Sequence, residues 1–377
     1  MASRSSFFVT CAPGLEPLLH AELKALRLSK LERQVGGVYF EGDLRDAWRV
    51  NLWSRCGVRL LMRVARFSCA EEEALYQSVR EVDWSRFLEP EGRLVVDAHS
   101  NESHLDHTRY IEQRVKDAVV DQFRERFGAR PSVDREEADL GLYAHLYRDR
   151  CTLLADTSGR SLHLRGWRQA QGKAPLAETI AAALVALSGW DQRSPLLDPF
   201  CGSGTVLIEA ALAAMNVAPG TLGGDFGFER WRGHDARAFE AERKRACAAG
   251  RARGKGTLLG TDIEKERVDD ARRNAEAAGV GDWVRFEVAD AREFAPRAGW
   301  NGWIVSNLPY GQRIGADVGE LYRAFGKRLS TCVGYHAALL TLDDDQATEA
   351  LGLRNAAVTQ VINGGLECRV STALIGA

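Results

Sequence analysis

Asn307, Leu308, Pro309 and Tyr310 close an apolar run in "IVSNLPYGQR". Such a run, bounded by Pro and Gly, reads as a buried strand. It stops by offering an amide, a rigid proline and an aromatic ring in succession, a set that suits chemistry on an exocyclic amine of a nucleobase. That amine is a poor nucleophile because its lone pair is delocalised into the ring. If the Asn307 side-chain oxygen and the Leu308 carbonyl both accept hydrogen bonds from it, the lone pair turns toward an incoming electrophile. Pro309 fixes the backbone and removes a competing donor. Tyr310 can stack on the base, a contact worth about 1–3 kcal/mol. No strong general base is needed, since the amine becomes acidic only as it gains a methyl group, and positioning supplies much of the acceleration. Alone, the tetrapeptide would read as a strand-end turn with Tyr310 in the core. Its place in a series of polar strand ends favours the chemical reading.

The first of that series is "LLDPFCGSGTVLIEAAL", a strand, an acid, a glycine turn and a helix. Strand ends form the ligand crevice of a doubly wound sheet, and Gly202 and Gly204 let a ligand approach the backbone while Thr205 opens a helix with free N–H groups. The third glycine of a dinucleotide fingerprint would fall on Leu207, and no Gly-Lys-Ser/Thr follows for a P-loop. S-adenosylmethionine tolerates both absences, because it carries an amino-acid end where a dinucleotide has phosphates. The next strand ends at Asp262, whose carboxylate can accept from both ribose hydroxyls. Asp262 follows Asp198 by 64 residues, against about 20 in an ordinary nucleotide-binding unit. The excess is the polar, aromatic insertion from Asn216 to Gly256. A third strand ends at Asp290, within reach of an adenine amino group. Each acid alone could equally cap a helix, but their recurrence favours one bound nucleoside.

The elements that must position these residues form an α/β protein. Before the glycine turn, "SFFVTCA", "GGVYFEG", "VRLLMRVARF" and "RLVVDAHS" read as strands. "GLEPLLHAELKAL", Leu44 to Trp53 and "YIEQRVKDAVVDQFRERF" read as helices, and "LYAHLYRDRCTLLADTS" as a hairpin closed near Asp149. The polar "DTSGRSLHLRGWRQAQGKAP" reads as a linker. Beyond it the pattern predicts a mostly parallel sheet with strands at "PLLD", "TLLGTDI", "VRFEVAD", "GWIVSN" and "HAALLTLD". Helices are expected over Glu178–Leu187, Val206–Met215, Lys265–Ala278 and about Val318–Thr331, and the Asn-Gly-Gly near the end predicts an antiparallel edge hairpin.

Composition narrows the classes. The 377 residues are 45% hydrophobic, enough for two or three cored domains. Eight cysteines without a C-x-x-C pair suit a reducing cytosol, and His99, His104 and His107 read as solvated histidines, so no metal is expected. The broken apolar start is neither a signal peptide nor a membrane span, which predicts a cytoplasmic protein. With 50 Lys and Arg against 52 Asp and Glu, there is no global basic field. RNA contact would rest on local clusters: Arg55, Arg59, Arg63 and Arg66, then Arg124, Arg126 and Arg130, then "RARGKG" from Arg251. For any one run, solvated charge remains the commoner explanation.

"DPFCGSGTVLIEAAL" with "SNLPYGQRI" resembles the class I S-adenosylmethionine-dependent N-methyltransferases of base amines. "GLEPLLHAELKAL", "VDAHS", "LHLRGWR", "APLAETIAAALVALSGW" and "APGTLGGDFGFERW" resemble, more narrowly, the THUMP-containing 23S rRNA guanine-N2 methyltransferases. The resemblance covers essentially the whole chain. It implies a ferredoxin-like part over 1–45, a THUMP RNA-binding domain over 46–157 and a Rossmann-like methyltransferase domain over 158–377. It also implies S-adenosylmethionine as cofactor and 23S rRNA or its large-subunit precursor as partner. By motif, Asp198, Cys201, Gly202, Gly204 and Thr205 line the methionine side, Asp262 with Ile263 holds ribose, and Asp290 with Ala291 sits near adenine. Pro175, Glu178 and Thr179 belong to the helix start that closes over the cofactor, and Asn307 to Tyr310 hold the target guanine.

This chain has Leu308 where close relatives carry Pro; a carbonyl acceptor survives that change. Some members continue into a second, 7-methylguanine-forming domain. Because this chain ends at Ala377, one activity is expected. A tRNA guanine-N2 methyltransferase is the nearest alternative. A protein glutamine methyltransferase and a non-enzymatic RNA-binding factor stand further off. The sequence leaves the oligomeric state open and is compatible with a monomer.

Overall fold

The computed structural model describes residues 4–169, 176–252, 254, 256–297, 299–310, 318–353 and 355–376. Two sheets organise them. The first is eight-stranded, in the order β2-β3-β1-β4-β8-β7-β5-β6. Its elements run β1 (Ser5–Thr10), α1 (Glu16–Ala25), β2 (Ser29–Gln34), β3 (Gly37–Gly42), α2 (Leu44–Trp53), β4 (Arg59–Ser68), α3 (Glu72–Arg80), β5 (Arg93–Asn101), α4 (Thr108–Phe127), β6 (Ser132–Val133), β7 (Leu140–Tyr147) and β8 (Arg150–Asp156). β4 pairs with both β1 and β8, so the two N-terminal regions share one continuous sheet.

Local signals explain several of these boundaries. Asp43 and Asp46 form a reciprocal capping box at the start of α2. α4 stops at Gly128, whose φ of 66° suits the left-handed helix end. The β7–β8 turn places both Arg148 and Asp149 at positive φ, the geometry of a tight hairpin. Among the elements that escaped the sequence pattern are β2 and α3. β2 is a polar edge strand in which only Leu31 is even half-buried, so no alternation marks it. α3 lies in an acid-rich run and is anchored by just two buried apolar residues, Leu75 and Val79.

The second sheet is seven-stranded, β11-β10-β9-β12-β13-β15-β14. Its elements are α5 (Glu178–Leu187), β9 (Leu196–Asp198), α6 (Thr205–Ala214), α7 (Ala236–Ala248), β10 (Leu258–Asp262), α8 (Lys265–Ala277), β11 (Val284–Val288), β12 (Trp303–Asn307), α9 (Val318–Leu329), β13 (His336–Leu342), α10 (Asp345–Ala350), β14 (Ala357–Asn363) and β15 (Leu366–Leu374). Strands β9 to β13 are parallel, and β15 and β14 close the sheet antiparallel. The chain leaves central β9 toward β10 on one side and reaches β12 on the other. The ends of β9, β10 and β12 therefore meet at a topological switch point, where such sheets bind ligands.

The expected linker is a packed strap. Thr157, Ser158, Leu162, Arg165 and Trp167 are all buried. Polarity misled the sequence reading, because Arg165 is buried against an acid: its Nε lies 3.5 Å from Glu209 of α6, and its other nitrogens donate to the Leu162 and Arg55 carbonyls. The insertion between β9 and β10 also has a structural task. Its Phe228 and Phe239 pack on Trp48 of α2, and Trp231 meets Phe87 edge-on at 5.1 Å. The added length thus wedges aromatic rings against the first sheet's helical layer. Among the described residues, no helix is long and apolar enough to cross a membrane.

Candidate functional site

Asp198 ends β9 with 1% of its surface exposed. Its Oδ1 accepts from the Ser306 hydroxyl at 2.5 Å and from the Phe200 N–H at 3.2 Å. Burial pushes its carboxyl up to about 7, opposed by those two donors. An acid in this state gains most from a cationic partner.

The two glycines of the turn have different tasks. Gly202 has φ +52°, and a Cβ there would meet nothing within 4 Å. Its N–H donates to Asp262 Oδ2 at 3.0 Å, tying the turn to the next strand end. Gly204 has φ +84°, and a Cβ there would lie 2.9 Å from Phe286 and 3.0 Å from Ala271. Gly202 therefore leaves space beside the crevice, whereas Gly204 lets α6 pack closely. Cys201 is buried, and desolvation drives its thiol far above the usual range, so it lines the turn as an inert small residue.

Asp262 receives the Gly202 N–H on one oxygen and the Glu264 N–H on the other. Burial raises its pKa against these bonds. Beside it, Ile263 is 60% exposed, an apolar surface at the mouth of the crevice. Asp290 is paired with Arg292, which holds its carboxyl below the usual range, and it also caps a short turn through the Arg292 N–H. Ala291 is buried in the neighbouring core.

Glu178, Thr179 and Thr205 are buried as well. The first and last are joined by a residue that the sequence reading did not single out. Arg168, at the end of the strap, donates to Glu178 Oε1 at 2.9 Å, to Thr205 Oγ1 at 3.2 Å and to Ser203 Oγ at 3.3 Å. It thereby clamps the start of α5 to the glycine turn. Its only sequence signal was its place in "LHLRGWR". Asn274 of α8 completes the clamp by donating to the Ser203 carbonyl and accepting from the Gln169 N–H; nothing in its sequence context marked it. Pro175 lies outside the described residues.

At the end of β12, Asn307 Oδ1 is buried and has no hydrogen-bond partner among the described residues. Burying a carbonyl oxygen without a donor costs about 1–3 kcal/mol, so this acceptor, unpaired among the described residues, is open to a donor that a ligand could bring. The rest of the tetrapeptide is anchored. The Leu308 N–H donates to the Leu340 carbonyl at 3.0 Å. The Tyr322 hydroxyl donates to the Pro309 carbonyl at 2.8 Å. The Tyr310 ring is only 4% exposed, and its hydroxyl accepts from Asn363 Nδ2 at 2.7 Å. Stacking on Tyr310 thus requires its neighbours to uncover a ring face.

Of the arginine clusters, the first is largely structural. Arg55 donates into the second sheet's layer at the Val217 carbonyl, Arg59 pairs with Asp156, and Arg63 donates to Ser6, which leaves Arg66 exposed. Arg124 and Arg126 pair with Asp121 and Asp83. In the third cluster, residues 253 and 255 lie outside the described residues.

Comparison with known proteins agrees with this architecture. Residues 165–372 match the RMKL-like methyltransferase domain, 6–61 the RlmL ferredoxin-like domain and 69–156 the THUMP domain. The chain is 41% identical over 381 residues to the ribosomal RNA large subunit methyltransferase K/L of Methylococcus capsulatus, covering 98% of this chain and 51% of that protein. It is 39% identical to the protein of that name from Pseudomonas paraeruginosa, covering 98% and 53%. The chain therefore spans about half the length of these curated relatives. Among solved structures, a candidate methyltransferase in complex with SAH superimposes with TM-score 0.89 at 30% identity, over 99% of this chain and 98% of that one. A candidate methylase from Clostridium difficile 630 gives TM-score 0.90 at 29% identity, over 100% and 99%.

Proposed function

The chain belongs to the family of the RMKL-like methyltransferase domain, and on that premise we propose that it methylates the exocyclic N2 of a guanine in 23S rRNA or its large-subunit precursor, in the cytoplasm. S-adenosylmethionine, when bound, supplies an electrophilic methyl group. The residues present fit that cofactor: Asp198 offers a buried carboxylate for its ammonium, Asp262 a carboxylate beside the exposed Ile263, and Gly202 an open backbone face. The proposed division of labour keeps 1–45 and 46–157 for RNA and 158–377 for chemistry.

Asn307 Oδ1, buried and without a partner among the described residues, carries this reading. It accepts one N2 hydrogen of the guanine, and the Leu308 carbonyl accepts the other. The lone pair then faces out of the base plane. The tetrapeptide's anchors keep both acceptors in place, so the enzyme relies on positioning. The base must leave its stack to reach the crevice, which favours precursor or unfolded RNA.

The test is transfer of labelled methyl groups to unmodified 23S rRNA and to bulk tRNA in parallel, with nucleoside analysis. N2-methylguanosine in 23S rRNA alone is expected. Label only in tRNA overturns the substrate, and label in neither overturns the activity.

A further inference from the structure

Asn363 is the last residue of β14, immediately before the Gly364–Gly365 turn, where both glycines have positive φ. Its side chain reaches back across the sheet's end to the Tyr310 hydroxyl at 2.7 Å. Nothing in the sequence linked these residues, which lie 53 positions apart.

The strand that carries Asn363 is braced from outside its own sheet. The Ile362 N–H donates to the Pro13 carbonyl, in the loop between β1 and α1, at 3.1 Å. The next residue, Gly14, has φ +95°, and a Cβ there would fall 1.9 Å from the Gln360 carbonyl oxygen. Only glycine allows this loop to lie so close to β14. Glu16 fixes the loop in turn, accepting from the Gly14 and Gly36 N–H groups at 2.8 Å each. The N-terminal module therefore holds the edge strand whose end holds Tyr310.

Resting on the proposed base-methylating function, we propose that Asn363 is a positioning residue for the Asn307–Tyr310 turn. The turn is fastened at successive residues: Leu308 N–H to Leu340, Pro309 carbonyl to Tyr322, and Tyr310 hydroxyl to Asn363. The first two fix the turn to strands and helices of its own domain. The third fixes the far end of the tetrapeptide to a strand braced by the N-terminal half. Loosening it lets the Leu308 carbonyl and Asn307 Oδ1 drift relative to each other, and both must meet one NH₂ group at once.

The test combines kinetics with hydrogen exchange on the full chain. Asn363→Ala and Tyr310→Phe are each expected to lower kcat on 23S rRNA about tenfold or more, with KM for RNA and Kd for S-adenosylmethionine within about twofold of wild type. The double variant should be no slower than the worse single one, because both remove the same bond. Asn363→Gln, which retains the amide, should recover part of the loss. Independently of turnover, amides in the peptide spanning residues 303–310 should exchange several-fold faster in Asn363→Ala. Unchanged exchange, multiplicative losses, or a loss confined to cofactor affinity would overturn the positioning role. If wild type makes no N2-methylguanosine while exchange behaves as expected, the functional reading fails and the anchor stands.

Discussion

Replacing Asp198 with Asn tests the electrostatics at the base of the crevice. Its carboxyl, ordinarily near 3.8, is pushed to about 7 by complete burial. The folded state thus holds the proton more tightly than the unfolded chain, and the associated stability is fully present below pH 3.8 and lost as pH rises through about 7. A shift of this size corresponds to about 4 kcal/mol in total. Asparagine keeps an oxygen that can accept from Ser306 and Phe200 but never ionises. The stability of Asp198→Asn relative to wild type should therefore rise by about 3 kcal/mol between pH 5 and pH 8 and change little above that. Urea unfolding of both proteins at each pH measures this, and the difference cancels other titrating groups. Cofactor binding should move the opposite way. Calorimetry with S-adenosylmethionine should show wild type binding about tenfold more weakly at pH 6 than at pH 8, because the acid must ionise to meet an ammonium. Asp198→Asn should bind weakly at both. A stability difference that stays constant from pH 5 to pH 8 would refute the assignment of a buried, proton-holding acid.

Asn307→Ala should lower methyl transfer about a hundredfold or more while leaving cofactor affinity within about twofold; full activity would remove Asn307 from the reaction. Gly204→Ala should destabilise the fold by about 1–3 kcal/mol, since the new methyl meets Phe286 and Ala271 at positive φ. Gly202→Ala, whose methyl meets open space, should cost about 1 kcal/mol in stability and show its larger effect in cofactor Kd. Urea midpoints and calorimetry separate the two glycines, and equal stability losses would refute the distinction. Arg165→Met should leave Glu209 buried without its nearest ion-pair partner and destabilise the protein by about 3–5 kcal/mol. A midpoint unchanged in urea would show that the pair does not hold the strap.

The parallel strands, the glycine turn and the Asn-Leu-Pro-Tyr stop were legible in the sequence because each depends on local pattern. Apolar runs bounded by turn residues fix strand ends, and strand ends of a doubly wound sheet share one edge, so Asp198, Asp262 and Asn307 had to come near one another. Pairs distant in sequence were not legible. Arg168 drew no reading of its own within the expected linker, yet it clamps Glu178 to Thr205. The insertion after α6 looked like spacing, yet its aromatic rings dock the two halves of the molecule.

The sequence by itself determined the fold class, the order of most elements and the strand ends that carry polar chemistry, since hydrophobic period and turn residues act over a few positions. Tertiary structure decided which of those polar groups remain available. Tyr310 found Asn363, 53 positions away, while Asn307 Oδ1 was left buried without a partner among the described residues. Burial and pairing are set by whichever distant segment packs alongside, and the residue types alone do not contain that information.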